Sequence, residues 1–207
     1  MKTICTGNRT VLALLAVVAL SNLHASPAFA GDGQKPEVQR LFQSGAYDEA
    51  VQASQGGDPA SIYLAAQAMM KADQAGQARE QFARLSATNQ PAWQLVAQSG
   101  EALISGDAGR AVTLARQATE AAGDNPFAFY QLGLASSKAG DWGGAGDAFT
   151  RTIELKPDFA YAHYYAALTH QRQRQLPRAA AHFDAFLRLA PDAPERQAVQ
   201  AIMRTLK

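Results

Sequence analysis

Cysteine is almost absent from this chain of 207 residues. The single cysteine, Cys5, precedes the apolar run of the N-terminal segment. A lipoprotein would carry its cysteine directly after such a run, at the cleavage point, so the sequence gives no support for lipid attachment. Without residues 1–30 the chain has no thiol, which excludes disulfides, thiolate metal ligands and a thiol nucleophile.

The chain also lacks a large excess of positive or of negative charge. Lysine and arginine number 19 and aspartate and glutamate 18, so no overall field attracts nucleic acid, and we expect none as a partner. The charges are unevenly spread, since residues 31–159 carry 10 basic and 15 acidic side chains and residues 160–207 carry 7 and 3. The basic end could attract an acidic partner or the acidic end of another copy, or it could be an ordinary solvated surface.

The known signatures of catalysis are also missing. Gly143-Gly144-Ala145-Gly146 lacks the lysine that follows a phosphate-binding loop. His163 and His170 are seven residues apart, so they share one helix face, but no carboxylate lies at a matching spacing to complete a metal site. We therefore expect core histidines, no cofactor, no metal and no enzymatic activity.

The first thirty residues have the order of a secretory signal peptide. Lys2 and Arg9 give a positive start, Val11 to Leu20 is an apolar run of ten residues, and Ala28-Phe29-Ala30 is a small-residue cleavage site. A helix of ten residues reaches about 15 Å, half the thickness of a membrane core, so an uncleaved anchor is disfavoured. The segment predicts a cleaved signal peptide over 1–30 and a periplasmic protein without a membrane span.

Two consecutive segments of 34 residues, 126–159 and 160–193, share one pattern of large and small residues. The shared places hold Phe129, Leu132-Gly133, Ala145, Phe149 and Pro157 in the first segment, and His163, Ala166-Ala167, Ala179, Phe183 and Pro191 in the second. Small residues let two helices approach closely, a large ring fills the groove between them, and proline ends the second helix. Each segment is therefore predicted to be a helix–turn–helix unit that must stack on its neighbours.

This pattern resembles the tetratricopeptide repeat (TPR) family. The alanine position of the pattern, held by Ala145 and Ala179, recurs upstream at Ala111, Ala78 and Ala50. The resemblance implies an all-α, TPR-type α-solenoid of stacked antiparallel helix pairs over residues 31–207. Its parts are a weak repeat 31–58, fair repeats 59–91 and 92–125, clear repeats 126–159 and 160–193, and a C-terminal capping helix 194–207.

The resemblance also implies where a partner would bind, because the first helix of each TPR unit lines the concave face of the stack. The exposed places on that face are occupied by Tyr63, Trp93, Phe127, Tyr130, Lys138, Tyr161, Tyr164, Gln171 and Arg172, with Lys71 at the rim. Aromatic rings are effective anchors for peptides, and the cations could meet an acidic group. The alternative is that several rings, Trp93 and Phe127 above all, pack between neighbouring first helices.

The carboxylate clamp of cochaperone TPR domains is not expected, because its Lys and Asn ligands are missing: Tyr63 and Gln67, for example, stand at comparable places. The resemblance instead implies a non-catalytic protein-interaction module or scaffold of the bacterial periplasm. Its partner would be a peptide segment or helix of an envelope complex for pilus assembly, secretion, cytochrome maturation or outer-membrane maintenance. A self-assembling structural protein of the envelope is the alternative, and the oligomeric state stays open.

Overall fold

The computed structural model of the protein describes residues 36–206, and the predicted signal peptide lies outside them. Within this range the chain forms eleven α-helices and no strand. Their bounds are α1 Glu37–Ser44, α2 Tyr47–Ala53, α3 Pro59–Lys71, α4 Ala75–Ser86, α5 Pro91–Ile104, α6 Ala108–Ala121, α7 Pro126–Ala139, α8 Trp142–Leu155, α9 Ala160–Arg172, α10 Leu176–Leu189 and α11 Arg196–Thr205.

Consecutive helices form antiparallel pairs that stack in chain order. The all-α solenoid with a C-terminal helix is thus confirmed. The five pairs run from α1 and α2 to α9 and α10, and α11 follows the last pair. None of the helices in residues 36–206 is both long enough and apolar enough to cross a membrane.

Local sequence sets where the helices begin. Proline occupies the first position of α3, α5 and α7, where its missing N–H costs nothing. The side chains of Asp58, Asn125 and Asp141 accept hydrogen bonds from the free N–H groups at the starts of α3, α7 and α8. Gly140 turns the chain between α7 and α8 in the left-handed conformation, with φ of 83°.

Small residues allow the two helices of a repeat to approach closely, as the sequence predicts. A Cβ atom placed on Gly133 of α7 would lie 2.5 Å from a ring carbon of Phe149 in α8. Ala145 and Phe149 are both fully buried. The recurring positions with small and large side chains therefore mark where the two helices of a repeat pack together.

The N-terminal helix α1 reaches the far end of the stack. The ring of Phe42 lies 4.8 Å from that of Tyr161 and 6.2 Å from that of Phe159. Gln39 Nε2 donates a hydrogen bond of 3.1 Å to Asp158 Oδ2. Because Phe42 is fully buried in these contacts, α1 covers part of the inner face and links the first repeat to the last.

Candidate partner-binding groove

The inner face of the stack has two halves with different properties. Near the start of the first helices, aromatic rings from neighbouring repeats fill the space between them. Tyr63 lies 5.6 Å from Phe127 and 6.0 Å from Trp93, and Tyr130 lies 4.9 Å from Phe159 (ring centroids). These rings form a packed core, and Trp93 at its edge also lines a cavity of about 420 Å³ beside the starts of α5 and α7.

Four of the side chains predicted to be exposed on the concave face are therefore buried. Tyr63, Phe127, Tyr130 and Tyr161 are 0%, 6%, 1% and 0% exposed, so the prediction of their exposure is wrong. The physical reason is that α1 and the neighbouring first helices pack onto these rings. The alternative interpretation, in which rings pack between first helices, is confirmed for Phe127 and also describes half-buried Trp93, whose ring lies 6.1 Å from that of Phe127.

A buried chain of hydrogen bonds ties three first helices together beside these rings. Tyr63 Oη and Gln67 Nε2 both donate to Gln131 Oε1, at 2.9 and 3.2 Å. Gln131 Nε2 then donates to Ser99 Oγ at 3.0 Å, and Ser99 Oγ donates to the carbonyl of Ala111 at 2.9 Å. Burial raises the pKa of Tyr63 well above its ordinary value, so the phenol stays a hydrogen-bond donor. The network positions α3, α5 and α7 relative to one another.

The other half of the inner face, near the ends of the first helices, is an open groove. It consists of two adjoining cavities of about 360 and 320 Å³ that share Leu134, Lys138 and Tyr165. The first cavity is further lined by Gln67, Met70, Lys71, Phe82, Gly100 and Leu103. The second is further lined by Ser137, Trp142, Leu168, Thr169 and Arg172. The groove thus crosses α3, α5, α7 and α9.

Cationic side chains edge the groove, whose second cavity is lined mostly by apolar atoms. Lys138 and Arg172 are exposed, and the Arg172 guanidinium lies 5.4 Å from the ring centroid of Trp142. Lys71 is half-buried at the opposite end. Among the described residues that line the groove, none is acidic. The groove can therefore receive an apolar segment that carries negative charge.

The structure also locates the last two predicted residues of the concave face. Tyr164 is half-buried, and its ring packs 5.1 Å from that of Phe186. Gln171 is half-buried beside Arg172 and does not line the groove. Of the nine predicted residues, Lys138 and Arg172 are thus the two that line the open groove.

A carboxylate that sequence reasoning missed lies at the Lys71 end of the groove. Glu195, between α10 and α11, accepts hydrogen bonds from Lys71 Nζ at 2.5 Å and from Tyr161 Oη at 2.8 Å. Burial opposes its ionisation, but the hydrogen bond and charge of Lys71, with the hydrogen bond of Tyr161, outweigh this and lower the pKa of Glu195. No sequence pattern marks this residue, because it follows the last repeat.

Three histidines meet between α9 and α10. His163 Nε2 donates to the carbonyl of Pro157 at 3.1 Å, so its Nδ1 accepts a hydrogen bond of 3.2 Å from His182 Nδ1. The ring of His170 stacks on that of His182 at 5.3 Å. Within residues 36–206, no group of three or more histidine, cysteine or acidic side chains is arranged to hold a metal ion.

Solved structures similar to this chain are TPR proteins. A thermophilic TPR protein from Thermus thermophilus has a TM-score of 0.58 at 18% identity, covering 82% of this chain and 94% of its own. YrrB, described as a TPR protein with an unusual peptide-binding site, has a TM-score of 0.52 at 19% identity, covering 80% and 84%. The first TPR domain of Spaghetti (RPAP3), bound to the HSP90 peptide SRMEEVD, has a TM-score of 0.53 at 16% identity, covering 57% and 92%.

These likenesses establish the class of fold. The chain is a TPR-type α-solenoid, as its repeats predict. No protein-family model and no curated protein matches it.

Proposed function

We propose that the protein is a non-catalytic binding module that holds a short, acidic segment of a partner protein in the groove between Lys71 and Arg172. The observation that carries this proposal is the combination of an apolar floor with exposed cations and no acidic lining residue among those described. Apolar contacts supply affinity in such a groove, and the cations select and orient negative charge.

The size of the groove suits a short segment. Its two adjoining cavities have volumes of about 360 and 320 Å³, which is room for a few side chains of a partner. The likeness to two solved TPR proteins described by their peptide-binding site or bound peptide supports this mode of binding.

The location of the partner is part of the proposal. The first thirty residues have the pattern of a signal peptide, and this supports a periplasmic protein whose partner belongs to an envelope complex. Pilus assembly, secretion, cytochrome maturation and outer-membrane maintenance are the candidate processes. Self-assembly into a structural element of the envelope stays the alternative prediction, and oligomer mass measured against concentration distinguishes the two.

Selection from a random peptide library displayed on phage tests the proposed groove. We expect the enriched peptides to combine apolar residues with Asp or Glu. Replacing both Lys138 and Arg172 by alanine should lower the affinity of the protein for the synthesised peptides about tenfold or more. A hydrogen bond to a charged group contributes about 1.5–3 kcal/mol. Fluorescence anisotropy measures the affinity, and circular dichroism checks that helicity is unchanged.

The matched control replaces Arg79 and Arg116 by alanine. Both are exposed on the outer helices α4 and α6, so this variant loses the same charge while the groove stays intact. Equal weakening in both variants would mean that only net charge matters. Enrichment of basic peptides, or of none, would contradict the proposed groove.

A further inference from the structure

We infer that the Lys71 end of the groove is a carboxylate-binding subsite, that Glu195 occupies it as an internal ligand, and that a carboxylate of the partner displaces Glu195. This inference rests on the proposed function and specifies how that groove is regulated.

The subsite is built from two donors on different repeats. Lys71 at the end of α3 and Tyr161 at the start of α9 each bond one oxygen of the Glu195 carboxylate. Lys71 Nζ also lies 4.3 Å from the ring centroid of Tyr161. Since Tyr161 is fully buried and the Lys71 side chain is only 15% exposed, the donors are fixed in place. A carboxylate of a partner would meet the same preformed pair of donors.

Glu195 is attached to a C-terminal segment of the described chain that buries few side chains. It precedes α11, in which Val199 is the single fully buried side chain. Ile202, Met203 and Leu206 are half-buried along the same helix and its end. Displacing the segment therefore exposes far less apolar surface than separating two repeats would.

Exchange of one carboxylate for another keeps the charge balance of the subsite. Lys71 stays paired throughout, so the exchange avoids leaving an unpaired half-buried cation. Lys71 also lines the first cavity, which makes the subsite continuous with the groove that ends at Arg172. The apparent affinity for a partner is therefore the intrinsic affinity multiplied by the fraction of time that Glu195 leaves the subsite free.

Glu195→Gln and Lys71→Gln distinguish an internal ligand from a structural contact. Both variants lose the ion pair, so hydrogen exchange in α11 should accelerate in both. Affinity for the selected acidic peptides should change in opposite directions. It should rise about fivefold or more in Glu195→Gln, where the competitor is weakened, and fall in Lys71→Gln, where the donor is lost.

The wild-type protein provides a second measurement. Binding of an acidic peptide should accelerate hydrogen exchange in α11, whereas ligands ordinarily slow exchange. The peptide is made with a free and with an amidated C-terminus, so that a terminal carboxylate and a side-chain carboxylate are distinguished. Glu120→Gln, an exposed change on α6, is the matched control and should alter neither exchange nor affinity.

The two proposals fail in different ways. Unchanged α11 exchange in Glu195→Gln, lower peptide affinity in that variant, or its unfolding would overturn the internal-ligand inference and leave the groove standing. Absence of any selected peptide would overturn the proposed function, while α11 exchange in the two variants without peptide would still report whether Glu195 holds the segment.

Discussion

Gly133 of α7 faces the ring of Phe149 in α8 without room for a methyl group. Its Cβ would lie 2.5 Å from the ring, and the ring is fully buried and cannot move aside freely. Gly133→Ala should therefore lower the free energy of unfolding by about 1–3 kcal/mol, the usual cost of overfilling a packed core. Chemical denaturation followed by circular dichroism measures it.

Gly143→Ala in the same repeat is the control for this change. A Cβ there would approach no atom closer than Asp141 Oδ1 at 3.6 Å, so the helix propensity of alanine should stabilise the protein by up to about 1 kcal/mol. If both variants change the free energy of unfolding equally, helix propensity alone accounts for the effect at Gly133 and the contact with Phe149 contributes nothing.

Residues that repeat with the period of the fold could be predicted from the sequence, because each unit solves the same packing problem. Gly133, Ala145 and Phe149 belong to this group. The exposure of Tyr130 and Tyr161 was predicted wrongly, because the family pattern places them on an open concave face. In this chain α1 and neighbouring rings cover them, and such long-range packing has no periodic signal.

Hydrogen-bond partners of buried polar residues could not be predicted from the sequence either. Gln131 is fully buried at the centre of the hydrogen-bond network, and Glu195 lies outside every repeat. Neither has a spacing that reveals its partners, since each bonds side chains of other repeats. By contrast, the exposed cations Lys138 and Arg172 could be predicted, because they stand near the ends of first helices where the groove is open.

At the scale of helices, the histidines between α9 and α10 make the packing of this helix pair sensitive to acid. Burial, with the charges of His163, His170 and Arg178, lowers the pKa of His182 to about 4 from an ordinary value of 6.5. Burial also lowers the pKa of His163, against the opposing hydrogen bond to Pro157 and with Arg188 adding to the shift. Both rings are thus held neutral near pH 7.

The free energy of unfolding should therefore decrease as the pH falls from about 6.5 towards 4. In that window the unfolded chain binds protons that the folded chain excludes. The stability that the neutral histidines contribute is fully present above a pH of about 6.5, the pKa of histidine in the unfolded chain. Denaturation at successive pH values tests this, and His182→Gln should flatten the dependence above pH 5, where carboxylates are still ionised. An unaltered slope in the variant would assign the pH dependence to other groups.

At the scale of the whole stack, α1 changes how a repeat protein should unfold. The stability of an open solenoid is roughly a sum over repeats and their nearest-neighbour interfaces, so its ends can fray separately. Here Phe42 joins the first repeat to Phe159, directly before α9, and to Tyr161 of the last repeat. This contact couples the two ends, and we expect one cooperative unfolding transition for the described helices.

Phe42→Ala tests this coupling directly. The variant should lose about 3–5 kcal/mol of stability, as is usual when a buried phenylalanine is truncated. Hydrogen exchange should accelerate in α1 and also at the start of α9, more than a hundred residues away, because Phe42 packs on both ends at once. Arg40→Ala, an exposed change in α1, should leave both regions unaffected. Faster exchange confined to α1 would mean that the helix is an independent appendage, and the inner face would then open as far as the buried tyrosines whenever α1 detached.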